Sequence, residues 1–91
     1  MSVEIVVDPS VTASVHDAGI VLFHTERGQL FSANIVGARI WSGLRRALPL
    51  DVIAAELSEF YAIPQATARE HTARFVHELA DHHLIARGPR Q

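Results

Sequence analysis

Gln29-Leu30-Phe31-Ser32-Ala33-Asn34-Ile35-Val36-Gly37-Ala38-Arg39-Ile40-Trp41-Ser42-Gly43-Leu44 is the stretch in which the chain changes its period. Gln29 to Ser32 reads as a short strand. It follows the turn signal Thr25-Glu26-Arg27-Gly28, in which Gly28 adopts a positive φ at little cost. Asn34 suits a helix N-cap, because its side chain can accept from an unpaired amide of the first turn. From there Ile35, Ala38, Ile40, Trp41 and Leu44 recur at helical spacing and predict a helix to about Ala47.

Upstream, the texture is β-like throughout. Ile20-Val21-Leu22-Phe23-His24 is the strongest strand signal, rich in β-branched and aromatic residues. Val11 to Val15 forms a second run, joined to it through the turn His16-Asp17-Ala18-Gly19. Val3 to Val7 reads as a further strand, cut off by Asp8-Pro9. Downstream, Pro49 suits the first turn of a second helix with Ile53, Ala54, Leu57 and Phe60 as its core face. A third, longer helix starts at Ile63-Pro64 and runs to about His82. Leu84-Ile85-Ala86 forms a last short strand or apolar tail, and Gly88 to Gln91 should be frayed. The expectation is an α+β, winged-helix-like domain: a three-stranded antiparallel sheet followed by a three-helix bundle. Residues 1–91 make one domain, with an ordered core over about 11–86 and Trp41, Phe60, Tyr61 and Phe75 in or near the core.

Composition narrows the function. The 91 residues carry 8 basic and 10 acidic side chains, for a net charge of -2. Such a surface is poorly suited to nucleic acid, whose binding draws on dense positive charge. There is no Cys, which removes disulfides, thiolate metal sites and cysteine nucleophiles. The apolar run Ala18 to Phe23 is too short to cross a bilayer. The N-terminal residues show no signal-peptide pattern, so a cytoplasmic location is expected.

Chemistry-bearing motifs are scarce. No phosphate-binding glycine loop, nucleophile elbow or paired-histidine metal motif is present. Six His residues are the one suggestive feature. His71, His77 and His82 miss the i, i+4 spacing that puts two ligands on one helix face. Glu56 and Glu59 read as a solvated face. Arg45 and Arg46 read as cations at a helix C-terminus, opposing its dipole. No catalytic residue, metal or cofactor is expected.

The third helix says more. On a wheel of 100° per residue, Glu70, His71, Arg74, His77, Glu78, Asp81 and His82 occupy the water side. Ala68, Phe75 and Leu79 form a bulky flank suited to the core. Ala66, Ala73 and Ala80, with Val76 and Arg69, form a flank of small residues that could wall a groove or pack against the domain itself. The Gln29–Ser32 strand, if it lies at the sheet edge, leaves backbone groups free for strand addition.

The run Gly28 to Leu44, with its Gly37-Ala38-Arg39-Ile40-Trp41 centre, resembles the strand-to-helix segment of PqqD-like proteins. Ile53-Ala54-Ala55-Glu56-Leu57 with Tyr61 resembles their second helix, and Phe75-Val76 through Leu79 to Leu84-Ile85 their third helix and its close. The similarity covers about residues 11 to 86. Ala33 stands where the family has Leu, His83 where a Gly ends the third helix, and Ala47-Leu48-Pro49 where a Gly separates the first two helices. A left-handed His83 would be strained, so a different helix ending is expected.

The resemblance implies a recognition element for ribosomally made, post-translationally modified peptides, and specifically the stand-alone leader-binding protein of lasso-peptide pathways. The partners it implies are a precursor leader peptide, a separate leader peptidase and a cyclase, with no nucleic acid and no membrane. It implies that the leader adds as a strand along Gln29, Leu30, Phe31 and Ser32, against Arg69, Thr72, Ala73, Val76, His77 and Ala80 of the third helix. Arg69 could pair with an acidic leader residue. Leu30 and Ser32 should face opposite to Phe31. Two other readings stay open: a winged-helix DNA-binding domain, suggested by the three helices, and a small enzyme or metal protein, suggested by the His residues. The domain is a monomer or a weak homodimer, since a free edge strand can pair with a second copy.

Overall fold

A computed structural model of the chain describes residues 3–89, with side chains from residue 5 to residue 86. The elements run β1 (Val3–Val7), β2 (Val11–His16), β3 (Gly19–His24), β4 (Gln29–Asn34), α1 (Ile35–Arg45), α2 (Leu50–Tyr61), α3 (Gln65–Asp81) and β5 (Ile85–Pro89). β2, β3 and β4 form an antiparallel sheet in that order, followed by the three helices. The expected α+β class and its winged-helix-like order are therefore present.

β3 holds the centre of the sheet. Its alternation is that of a half-buried strand: Ile20, Leu22 and His24 are buried, whereas Phe23 is exposed. Cross-strand partners share a face, so Phe31 opposite Leu22 and Ala33 opposite Ile20 line the covered side of β4. The helices lie on this side. Ile40, Trp41 and Leu44 of α1, Ile53, Ala54 and Leu57 of α2, and Ala68, Phe75, Val76 and Leu79 of α3 meet Ile20 and Leu22 in one core.

β4 passes into α1 without a loop. Asn34 ends the strand and caps the helix with extended backbone, its Oδ1 accepting from the Gly37 amide at 3.0 Å. Gly28 takes the expected positive φ of 66° in the preceding turn.

Four expectations are corrected. Phe60 is not a core residue but 60% exposed, because the guanidinium of Arg39 lies 3.3 Å over its ring and shields one face instead. Gly88 and Pro89 are not frayed: they belong to β5 and pair with Glu4 and Val3 of β1. That two-stranded sheet carries regular structure beyond both ends of the expected 11–86 core. Arg90 and Gln91 lie outside the described residues. Finally, α3 does end in a left-handed residue, with His83 at φ 60°.

His83 is one of three. Ala47 after α1 and Ala62 after α2 also take left-handed conformations, at φ 60° and 54°. In each case the next residue returns its amide to the carbonyl five residues back: Leu48 to Gly43, Ile63 to Ser58 and Leu84 to Leu79. This is the Schellman pattern, and in each the residue following the left-handed one is apolar. Leu84 is fully buried, so its contact with the core offsets the strain at His83.

His24 ties the turns together beneath the sheet. Its Nδ1 accepts from the Arg27 amide at 3.2 Å, so Nε2 carries the proton and donates to Asp8 Oδ2, also at 3.2 Å. Asp8 Oδ1 accepts from the Ser10 amide at 2.8 Å. That backbone hydrogen bond first, and the His24 ring beside it, hold the Asp8 carboxyl below its ordinary pKa.

Candidate functional site

β4 is an edge strand. Among the described residues, its positions 29–33 make no backbone hydrogen bond other than the ladder to β3. A row of unpaired amides and carbonyls thus runs along one side of β4, and such a row is a template for another strand. β2 is the other free edge of this sheet. What distinguishes β4 is the cleft of about 280 Å³ beside it, with α3 as the opposite wall.

The floor is apolar. Phe31 packs against Phe75 with ring centroids 6.1 Å apart, and against the His82 ring at 4.8 Å. The Nδ1 of His82 donates to the Glu78 carbonyl at 2.9 Å, which fixes the ring over Phe31. The end nearest α1 is closed by Val36, Gly37 and Ile40. A Cβ on Gly37 would fall 2.7 Å from the Ala33 Cβ and 2.9 Å from a Phe75 ring carbon. Glycine therefore sets how closely α1, β4 and α3 converge here. The rim on the α3 side is polar, made by His71, Arg74 and Glu78.

The sequence-expected residues divide between two places. Gln29, Leu30, Phe31 and Ser32 all lie in β4, and Phe31 and Ser32 line the cleft. Leu30 is 69% exposed on the face opposite Phe31, across from Phe23, as the strand period requires. The helix residues are not brought to the cleft. Arg69, Thr72 and Ala73 line a separate cavity of about 170 Å³ against Leu50, Asp51 and Ala54 of α2. Val76 is fully buried in the core, and Ala80 is half-buried against it. His77 is exposed, its Nε2 3.6 Å from Asp81. The bulky flank of α3, through Phe75, is what faces β4, and the small flank faces α2. The wheel separates the two flanks but holds no information on which neighbour each one meets. The α3 residues at the cleft, His71, Arg74 and Glu78, were read from the wheel as water-facing. They are exposed, and the signal that could have found them is their place one turn either side of Phe75.

The other chemistry is thin. Among the described residues no three His, Asp or Glu side chains converge as a metal-ligand set, and no helix is long and apolar enough to cross a membrane. The exposed basic residues of α3, Arg69 and Arg74, are outnumbered by Glu70, Glu78 and Asp81. Nothing in that face favours duplex DNA.

Comparison with known proteins gives two structural likenesses and one family. The fold matches "TbiB1 in Complex with the TbiA(beta) Leader Peptide" with a TM-score of 0.82 and 26% identity, over 93% of this chain and 98% of that one. It also matches "Lasso peptide synthetase B1 complexed with the leader peptide" with a TM-score of 0.83 over 91% of this chain and 98% of that one; at 22% identity this shows a shared fold. No curated protein sequence matches significantly. The model of the family described as Coenzyme PQQ synthesis protein D (PqqD) matches residues 19–85, which takes in β3, β4 and all three helices. The chain belongs to the PqqD family.

Proposed function

We propose that this domain binds the leader segment of a ribosomal precursor peptide as an added strand on β4, in the cleft against α3. It then presents the peptide to a separate leader peptidase, with a cyclase acting on the freed core in lasso-peptide biosynthesis. The observation that carries this reading is the unpaired edge of β4 beside an apolar cleft, in a family member whose fold matches TbiB1 in complex with a leader peptide. Main-chain hydrogen bonds to β4 supply affinity with little regard to sequence, while leader side chains alternately enter the cleft and lie beside Leu30. The domain needs no chemistry of its own. Holding the leader raises the effective concentration of the cleavage site at a partner enzyme.

The test is a fluorescence-anisotropy titration of the labelled leader from the precursor gene adjacent to this one. Wild type is compared with Phe31→Glu in the cleft floor and with Val52→Glu on the exposed side of α2, each first shown to melt cooperatively. Saturable binding that weakens by about tenfold or more in Phe31→Glu and by less than about twofold in Val52→Glu is expected. No saturable binding by folded wild type, or equal binding by all three proteins, overturns the proposal.

A further inference from the structure

The α3 wall of the cleft carries one cation and one anion in a fixed order, Arg74 and then Glu78. They are four residues apart, so both lie on one stripe of the helix. A Glu preceding its cation is the favourable order for such a pair, and here the order is reversed. Among the described residues neither side chain lies within 4.0 Å of an opposite charge; the ion pairs are Asp8–His24, Arg46–Glu56 and His77–Asp81. Glu70, which has the favourable spacing to Arg74, does not pair with it either. Two exposed, unpaired and opposite charges thus flank Phe75 on the rim of an otherwise apolar cleft.

Their spacing fits a strand. Four helical residues advance about 6 Å, and two strand residues advance about 6.8 Å. Same-face side chains of an extended peptide lying along α3 therefore stay in step with Arg74 and Glu78 over one repeat. The direction is also set. Phe31, early in β4, reaches His82 at the C-terminal end of α3, while Gly37, just past the end of β4, abuts Phe75 a turn and more earlier. β4 and α3 run in opposite senses. Every pairing in this sheet is antiparallel, and a strand that continues the pattern runs with α3, meeting Arg74 first and Glu78 second.

Building on the proposed leader binding, we infer that the cleft selects leaders carrying an acidic residue followed two positions later by a basic one, Arg74 reading the first and Glu78 the second. The wrong order places like charges together across the rim, so the pair sets register and direction more than total affinity.

The experiment is a positional array of the adjacent precursor's leader, each residue replaced in turn by Asp, Lys and Ala. It is probed with wild type, Arg74→Glu, Glu78→Lys and the double variant, all at exposed positions. Wild type is expected to lose about fivefold where Lys replaces one acidic residue, and again where Asp replaces a basic residue two positions on. The double variant is expected to prefer the leader with those two charges exchanged. If all three variants rank the peptides as wild type does, or the charge-sensitive positions are not two apart, the inference is wrong while leader binding stands. If wild type binds no peptide of the array, leader binding falls and the inference with it.

Discussion

Methylating the leader's backbone nitrogens one at a time reads the strand addition directly. The strand available for pairing is Gln29–Asn34, 6 residues long. In an antiparallel pair the amides of alternate residues turn toward the neighbour, so about three leader amides opposite this segment donate to β4 and the rest turn away. Each methyl group removes one donor and puts bulk into the ladder. The lost hydrogen bond costs about 0.5–1.5 kcal/mol net, or about 2- to 13-fold in Kd. Methylation of the intervening amides should cost less than about twofold. Competition against a labelled leader by anisotropy gives the profile, which should rise and fall with a period of two over about six residues. A period of three to four would mean a leader bound as a helix, and a flat profile would mean side-chain contacts alone; either refutes strand addition.

Replacing Ala47, Ala62 or His83 by Gly should stabilise the fold by about 0.5–1 kcal/mol each in urea melts, since about 1–2 kcal/mol of left-handed strain is relieved against a smaller gain in unfolded-chain freedom. Val76→Asp should cost about 4 kcal/mol or more and unfold much of the protein, because it puts a charge into the closed core, whereas Ala73→Asp on the exposed side of α3 should stay within about 0.5 kcal/mol; thermal melts of the two separate core from surface. Asp8 contributes stability above the ordinary carboxylate pKa of about 4, and that stability is lost as pH falls through its lower folded-state value. Asp8→Asn should therefore flatten the acid side of a stability–pH profile while leaving its neutral-pH slope unchanged.

The fold was legible because its signals are local. The β-branched run of β3, the N-cap at Asn34 and Pro49 and Pro64 at helix starts each act within a few residues, and the elements begin within a residue or two of where those signals put them. What was not legible depends on partners distant in sequence. Gly88 and Pro89 look like a tail until β1, more than eighty positions earlier, is seen to pair with them. Phe60 keeps the period of the α2 core face, yet α2 ends there and Arg39 of α1 covers the ring. For the site, the strand half follows from sequence order alone. The helix half needs the rotation of α3 about its axis, which is fixed by Phe31, Phe75 and His82 meeting between two elements.

Amide hydrogen exchange with and without the adjacent precursor's leader would locate the site in one experiment. Slowed exchange should appear at alternate amides of Gln29–Asn34 as the leader saturates, with Thr12 and Ser14 on the opposite edge unchanged. Protection along β2, protection confined to α2 and α3 around Asp51 and Ala73, or saturable binding that leaves the β4 amides exchanging as before would place the leader elsewhere.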